Sequence, residues 1–170
     1  MSTIPRFEAL IDRHHDELCA YLFRLLGAAR RSDVSLDVED LVQEVFLRAY
    51  QSYETLRQDS NHRAWLYKIA TNCAFSRVRQ TRRRREAVLT LRDSPLKPHS
   101  SVAQENLNGR LHALLSGLPR KQKACVMLRY MQDLDYPEIA AILSCSKASV
   151  RANVYQAIRR LRATILEVTK

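Results

Sequence analysis

The sequence predicts an all-α protein of two small helical domains joined by a flexible linker, and three observations carry that expectation. Only 3 of the 170 residues are Gly while 46% are hydrophobic, a composition suited to helices that bury one face. Apolar residues recur at three- and four-residue steps through most of the chain. The exception is Glu86 to Asn106, which loses the period and holds Ser94, Pro95, Pro98, Ser100 and Ser101, as a linker does. The expected domains are therefore 1–85 and 107–170, with 86–106 between them; the length suffices for two small cores.

Taken in order, Phe7, Leu10, Ile11, His14, Leu18, Tyr21, Leu22, Leu25 and Leu26 mark a first helix from about Pro5 to a stop near Gly27. A polar turn from Arg30 to Ser35 then leads to Asp37, an N-cap for a second helix ending near Tyr53. Its inward stripe is Val38, Leu41, Val42, Val45 and Ala49; Asp40, Gln43, Glu44, Leu47, Tyr50, Gln51 and Glu54 point away. Carboxylates on that outward face would repel phosphates, so an acidic surface around an exposed Leu and Tyr favours a protein partner over DNA. A solvated helix face remains the plain alternative.

The polar loop from Gln58 to His62 offers Asp59 or Ser60 as the next cap, and a helix from Asn61 to Arg85 follows. Leu66, Ile69, Ala70 and Cys73 face its core, which leaves Lys68, Thr71, Asn72, Phe75, Arg79 and Arg82 on the other side. An aromatic ring among cations suits a partly unstacked nucleic-acid strand, because bases stack on rings and phosphates attract Arg and Lys.

Past the linker, Leu107, Leu111, Leu114, Leu115 and Leu118 resume a helical stripe that Pro119 breaks, and Gln122 to Met131 forms a short helix. Asp135 and Glu138 make a capping-box pattern with Pro137 in the first turn. Ile139, Ala140, Ile142 and Leu143 face inward, Ser144 and Cys145 connect, and Ser146 caps a last helix buried by Val150, Val154, Ala157, Ile158 and Leu161. Two short helices so joined read as a helix-turn-helix. The outward residues Lys147, Ser149, Arg151, Ala152, Tyr155, Gln156 and Arg159 suit a major groove, with Arg159, Arg160 and Arg162 placed for phosphates.

Charge and motifs narrow the function classes. A net charge of +10 with pI near 9.8 favours a polyanionic partner. No run of about 18 apolar residues suggests a membrane span, and Met1 to Arg13 lacks a signal-peptide pattern; no membrane insertion and a cytoplasmic location are expected. The four cysteines, Cys19, Cys73, Cys125 and Cys145, stand singly and read as free thiols. With no metal-ligand spacing, Gly-rich phosphate loop or nucleophile paired with a base, neither cofactor, metal nor catalytic residue is expected.

The order of parts resembles the sigma-70 family of bacterial transcription initiation factors, in its small extracytoplasmic-function group. Asp40-Leu41-Val42-Gln43-Glu44 with Phe46 and Leu47, the run Arg63 to Ala70 with Asn72, and Tyr136 to Arg162 carry the likeness. The resemblance implies a sigma2-like bundle followed by a sigma4-like helix-turn-helix domain. It implies that Asp40, Leu41, Gln43, Glu44, Leu47 and Tyr50 dock on the β′ clamp helices of core RNA polymerase. It places minus-10 promoter DNA on Asp59, Ser60, Asn61, His62, Arg63, Trp65, Lys68, Thr71, Asn72, Phe75, Arg79 and Arg82, with capture of an unstacked base. Ser146, Lys147, Ser149, Arg151, Ala152, Tyr155, Gln156, Arg159 and Arg160 would read the minus-35 element while the second domain touches the β flap, and an anti-sigma factor would hold the protein inactive. Four positions depart from the pattern. His62 stands for the usual Phe, Lys68 and Ile69 for the tryptophan pair of housekeeping members, and Asn153 for a frequently basic residue. Alternatives from the residues alone are an autonomous helix-turn-helix regulator of duplex DNA and an RNA-binding adaptor using the Arg-rich tract.

Overall fold

The computed structural model describes residues 6–27, 33–57, 60–89 and 107–168, and among these every regular element is an α-helix. Three helices build the first half: α1 (Phe7–Leu26), α2 (Asp33–Tyr53) and α3 (His62–Leu89); α4 (Leu107–Ser116), α5 (Arg120–Tyr130), α6 (Tyr136–Leu143) and α7 (Lys147–Val168) build the second. The inward stripes meet as their periods require. Leu18, Tyr21, Leu22, Leu41, Val45, Leu66 and Ala70 are each buried where α1, α2 and α3 pack together, and Met127, Leu128, Ile139, Ile142, Val150 and Ala157 do the same for α5, α6 and α7. Replacing one large member of such a core by Ala costs about 2–5 kcal/mol.

Local chemistry sets the ends. Gly27 closes α1 at φ 72°, a left-handed value that glycine adopts without a Cβ penalty. Asp135 and Glu138 form the expected capping box on α6, each side chain bonded to the other's backbone N–H at 2.8 Å. Ser144 ends α6 at φ 49°, and Ser146 Oγ caps α7 by accepting from the Ser149 N–H at 3.1 Å. The short connection and its caps give the helix-turn-helix that the pattern predicts.

Three local expectations change. The second helix begins at Asp33, so Asp37 lies inside it; an interior Asp costs under about 0.7 kcal/mol relative to Ala and does not stop a helix. The cap of α3 is Asn61, whose Oδ1 accepts from the Ala64 N–H at 3.0 Å, and not Ser60; Asp59 lies outside the described residues. Helix α3 also runs to Leu89, past the linker's expected start at Glu86, since nothing from Glu86 to Leu89 is a Gly or Pro. Positions 90–106 lie outside the described residues.

The two halves touch. Helix α6 packs against α3 and α5 against α1, so one buried cluster runs from Leu18 through Tyr67 to Leu134 and Ile139. Among the described residues no helix is long and apolar enough to cross a membrane.

Candidate docking face and nucleic-acid interface

On α2 the helical period separates two faces. Asp40, Gln43, Leu47 and Tyr50 are solvent-exposed, Leu47 at 61% and Tyr50 at 65%. Gln43, Leu47 and Tyr50 border an open groove of about 470 Å³ between α1 and α2, floored by Val42 and Phe46 and closed on the α1 side by Phe7 and Ile11. Phe7 packs edge-on against Tyr50 at 5.3 Å and Tyr53 at 5.2 Å. Sequence reasoning missed the contribution of α1. Phe7 and Ile11 sit on the flank of its buried stripe, where a wheel alone cannot separate groove wall from core.

Two residues assigned to this face belong elsewhere. Leu41 is fully buried, so it anchors α2 rather than meeting a partner. Glu44 is partly covered and turned sideways, with ion pairs to Arg48 at 2.7 Å and Arg77 at 3.6 Å. These lie in a cationic cleft of about 510 Å³ between α2 and α3, with Arg79 and Arg83 also on its wall. Arg48, Arg77 and Arg83 were not singled out from the sequence, though the Arg-rich run was the available signal.

Helix α3 has two different halves. Lys68, Asn72, Arg79 and Arg82 are exposed as predicted, Arg82 paired with Glu86 at 2.6 Å. Thr71 is not: it is buried, donates to the Tyr67 carbonyl at 2.7 Å and accepts from the Tyr21 hydroxyl at 2.8 Å. Its place on the outward wheel fails because α1 packs over that flank, and it is removed from the DNA surface. Phe75 is half-buried against the core, not isolated among cations. Trp65 is also half-buried, its ring 6.3 Å from Tyr53. His62 lies under the same Tyr53 ring at 6.3 Å, with Nε2 unpartnered among the described residues. Ser60 is half-buried and Asn61 exposed.

Arg63 is the most engaged of the predicted DNA residues. Its Nε and Nη2 donate to the Glu17 carboxylate at 3.1–3.3 Å, while Nη1 and Nη2 donate to the backbone and side-chain oxygens of Gln132 at 2.7 and 2.8 Å. Burial tends to raise the Glu17 pKa, but the Arg63 guanidinium and His14, whose Nδ1 lies 2.5 Å away, outweigh it and hold the carboxyl below its ordinary value. Burial chiefly pushes the Tyr67 hydroxyl upward; that hydroxyl donates to Gln132 Oε1 at 2.6 Å.

On α7, Lys147, Arg151, Ala152, Tyr155, Gln156, Arg159 and Arg160 are exposed, Tyr155 at 69%. Ser149 is half-buried, and Asn153 folds back onto its carbonyl at 2.8 Å. Gln156 Oε1 accepts from Gln122 at 2.8 Å. The Tyr136 ring lies under both Arg129 and Arg151, 5.3 and 5.7 Å from their guanidinium carbons, which ties the start of α6 to α7. The four cysteines are free, and no cluster of metal-ligating side chains occurs among the described residues.

The described residues form a helical protein with an open, mostly apolar groove between α1 and α2 and exposed cations along α3 and α7. Residues 10–84 match Sigma-70 region 2, and residues 108–161 match Sigma-70, region 4. The chain is 27% identical over 164 residues to the ECF RNA polymerase sigma factor SigX of Bacillus subtilis, covering 92% of this chain and 81% of that one. It is 29% identical over 163 residues to the ECF RNA polymerase sigma-E factor of Escherichia coli K12, covering 89% and 82%. In structure it is similar to the sigma factor RpoE in complex with the anti-sigma factor NepR from Bartonella quintana, with TM-score 0.76 and 22% identity over 98% of this chain and 100% of that one. It is also similar to CnrH in complex with the cytosolic domain of CnrY, with TM-score 0.66 and 26% identity over 96% and 89%. The chain belongs to the sigma-70 family of transcription initiation factors, in the extracytoplasmic-function group.

Proposed function

We propose that this chain is a non-catalytic specificity subunit of bacterial RNA polymerase, acting in the cytoplasm through one docking face and two DNA-reading helices. The first domain extends through α3 to Leu89 and the second spans 107–170. Asp40, Gln43, Leu47 and Tyr50, with Phe7 and Ile11 of α1, form the surface for the β′ clamp helices. The observation that carries the reading is the exposed Leu47 and Tyr50 over an apolar groove, in a chain whose α7 presents Lys147, Arg151 and Arg159 to solvent. An apolar centre with a polar rim is the composition of a protein interface.

Lys68, Asn72, Arg79 and Arg82 would hold the minus-10 strand, together with Asn61, Arg63 and Trp65 once freed. A captured base offsets an unstacking cost of a few kcal/mol through stacking and hydrogen bonds. Helix α7 would read the minus-35 duplex from its N-terminal residues, while Arg159 and Arg160 contact phosphates. An anti-sigma factor is the expected restraint, as the similar structure of the sigma factor RpoE is a complex with the anti-sigma factor NepR.

The test is co-purification of core polymerase with Asp40→Ala/Gln43→Ala and with Leu47→Asp. Both variants keep helix content and lose the polymerase. Undiminished co-purification of both would move docking off α2.

A further inference from the structure

We infer that the free chain is held shut by an intramolecular latch, in which Gln132 occupies Arg63 and Tyr67 so that α6 masks the minus-10 surface of α3 until the two halves part. This rests on the assignment of Arg63 and its neighbours to DNA. The latch is built from both sides. Gln132 sits in the turn between α5 and α6, and its side-chain oxygen accepts from Arg63 Nη2 at 2.8 Å and from the Tyr67 hydroxyl at 2.6 Å. Its backbone oxygen accepts from Arg63 Nη1 at 2.7 Å. With Glu17 of α1 taking Nε and sharing Nη2, the fork of the guanidinium is committed to protein acceptors. A second bond crosses nearby, from Asn61 Nδ2 to Glu138 Oε1 at 2.5 Å.

The turn that presents Gln132 is shaped in advance. Met131 and Gln132 both donate their N–H groups to the Met127 carbonyl, and Leu134 donates to Leu128 at 3.0 Å. Asp133 holds φ at 52°, a value uncommon outside glycine, and Arg129 Nη1 bonds the Leu134 carbonyl at 3.1 Å. The acceptors therefore face α3 with little freedom left to lose on closing.

The far edge of the same contact is weaker by design of charge. Lys123 of α5 is buried beside Gly27 at the end of α1, its Nζ 3.5 Å from where a Gly27 Cβ would stand, with Arg24 and His112 also close enough to act electrostatically. Two cations, Lys123 and Arg24, gather there beside His112, whose pKa burial and those charges lower, and no carboxylate partner for Lys123 occurs among the described residues. Closure is thus favoured at the latch and opposed at the seam, which suits a contact meant to open. The exposed α2 groove lies outside the latch, so polymerase can engage the closed chain first and the DNA-reading surfaces afterwards.

The experiment compares the full-length protein with Gln132→Ala and Gln132→Glu. The first removes the side-chain oxygen that accepts from both Arg63 and Tyr67 and leaves the backbone acceptor; the second turns the amide into a carboxylate facing Arg63, which tightens the bond. Small-angle scattering reads closure, and fluorescence anisotropy reads affinity for a labelled pool of random-sequence single-stranded 20-mers. The wild type should show a radius of gyration of roughly 16–18 Å, near the compact limit for its length. Gln132→Ala should expand by at least ~3 Å and bind the pool about fivefold more tightly, while Gln132→Glu stays compact and binds no more tightly than wild type. Circular dichroism checks that both keep their helices. An extended wild type overturns the latch, as does Gln132→Ala that neither expands nor binds more tightly, or expands without tighter binding. Should Gln132→Ala lose its helices, the wild-type radius together with Gln132→Glu decides: a Gln132→Glu that expands or binds more tightly overturns the proposal. Transcription with core polymerase is run on the same preparations. Its failure with every variant refutes the specificity-subunit reading and leaves the answer on closure standing.

Discussion

Two basic helices, α3 and α7, look alike in sequence and differ in the structure. Both carry a buried apolar stripe with cations and an aromatic on the other side. On α7 the cations Lys147, Arg151, Arg159 and Arg160 and the Tyr155 ring stand in solvent. The N-terminal half of α3 is instead enclosed from two directions, by α1 through Glu17 and Tyr21 and by the α5–α6 turn through Gln132. A helical wheel gives the phase of the buried face but not its width. One neighbour yields a narrow stripe and two neighbours a wide one, and the width decides whether a polar residue on the flank is free.

The largest test of that contrast is a pair of tyrosines. Tyr67→Ala should destabilise the fold by about 3–5 kcal/mol in urea melts, because it empties a fully buried site packed edge-on against Tyr21 at 5.0 Å. Tyr155→Ala should change stability by less than about 0.5 kcal/mol and weaken duplex binding instead. Equal effects would erase the distinction between the helices.

Next comes Arg63→Ala, expected to cost roughly 2 kcal/mol by removing the Arg63 donors from Glu17 and Gln132, which keep only His14 and Tyr67. Its pH signature follows from the lowered Glu17 pKa. The folded carboxyl titrates below its ordinary value of 4.5, so its contribution is present above that value and lost as pH falls through the folded pKa. Arg63→Ala should therefore be penalised most near neutrality and converge on wild type in acid; a constant offset would mean that Glu17 is not the partner that matters.

A gain is expected from Lys123→Met. Burial lowers the Lys123 pKa to about 8, so at pH 7 the folded chain carries a poorly solvated charge. Removing it should stabilise by roughly 1 kcal/mol, about 3 °C in Tm for this size of chain. The folded state sheds that proton near pH 8 and the unfolded state near 10.5, so wild-type stability rises across that interval and the advantage of Met shrinks. An advantage that grows with pH would contradict the assignment. The smallest effect belongs to Arg160→Ala, exposed on α7: unchanged stability, and a slope of log K against log salt for duplex DNA shallower by about 0.9.

Periodicity made most of the fold legible. Every residue of the inward stripe on α2 from Val38 to Ala49 is buried, and the capping box at Asp135 and the Ser146 cap form as their spacing predicts. Asn61 was passed over as a cap because three polar residues in a row compete for that position and only backbone geometry chooses among them. Leu41 misled only through the family motif that put it on the docking face, since its place on the inward stripe already implied burial. Thr71 and Glu44 misled for another reason: each sits at the edge of a stripe, and its environment is set by a neighbouring helix whose angle local sequence does not encode. The contact of Gln132 with Arg63, 69 positions apart, was invisible for the same reason.

The most direct measurement is transcription from a pool of genomic fragments of the host bacterium by sigma-free core polymerase, with and without this protein. Discrete new start sites sharing two upstream motifs are the predicted result. No new transcripts, together with a footprint of the isolated chain on duplex DNA, would contradict the account and point to a regulator that acts without polymerase.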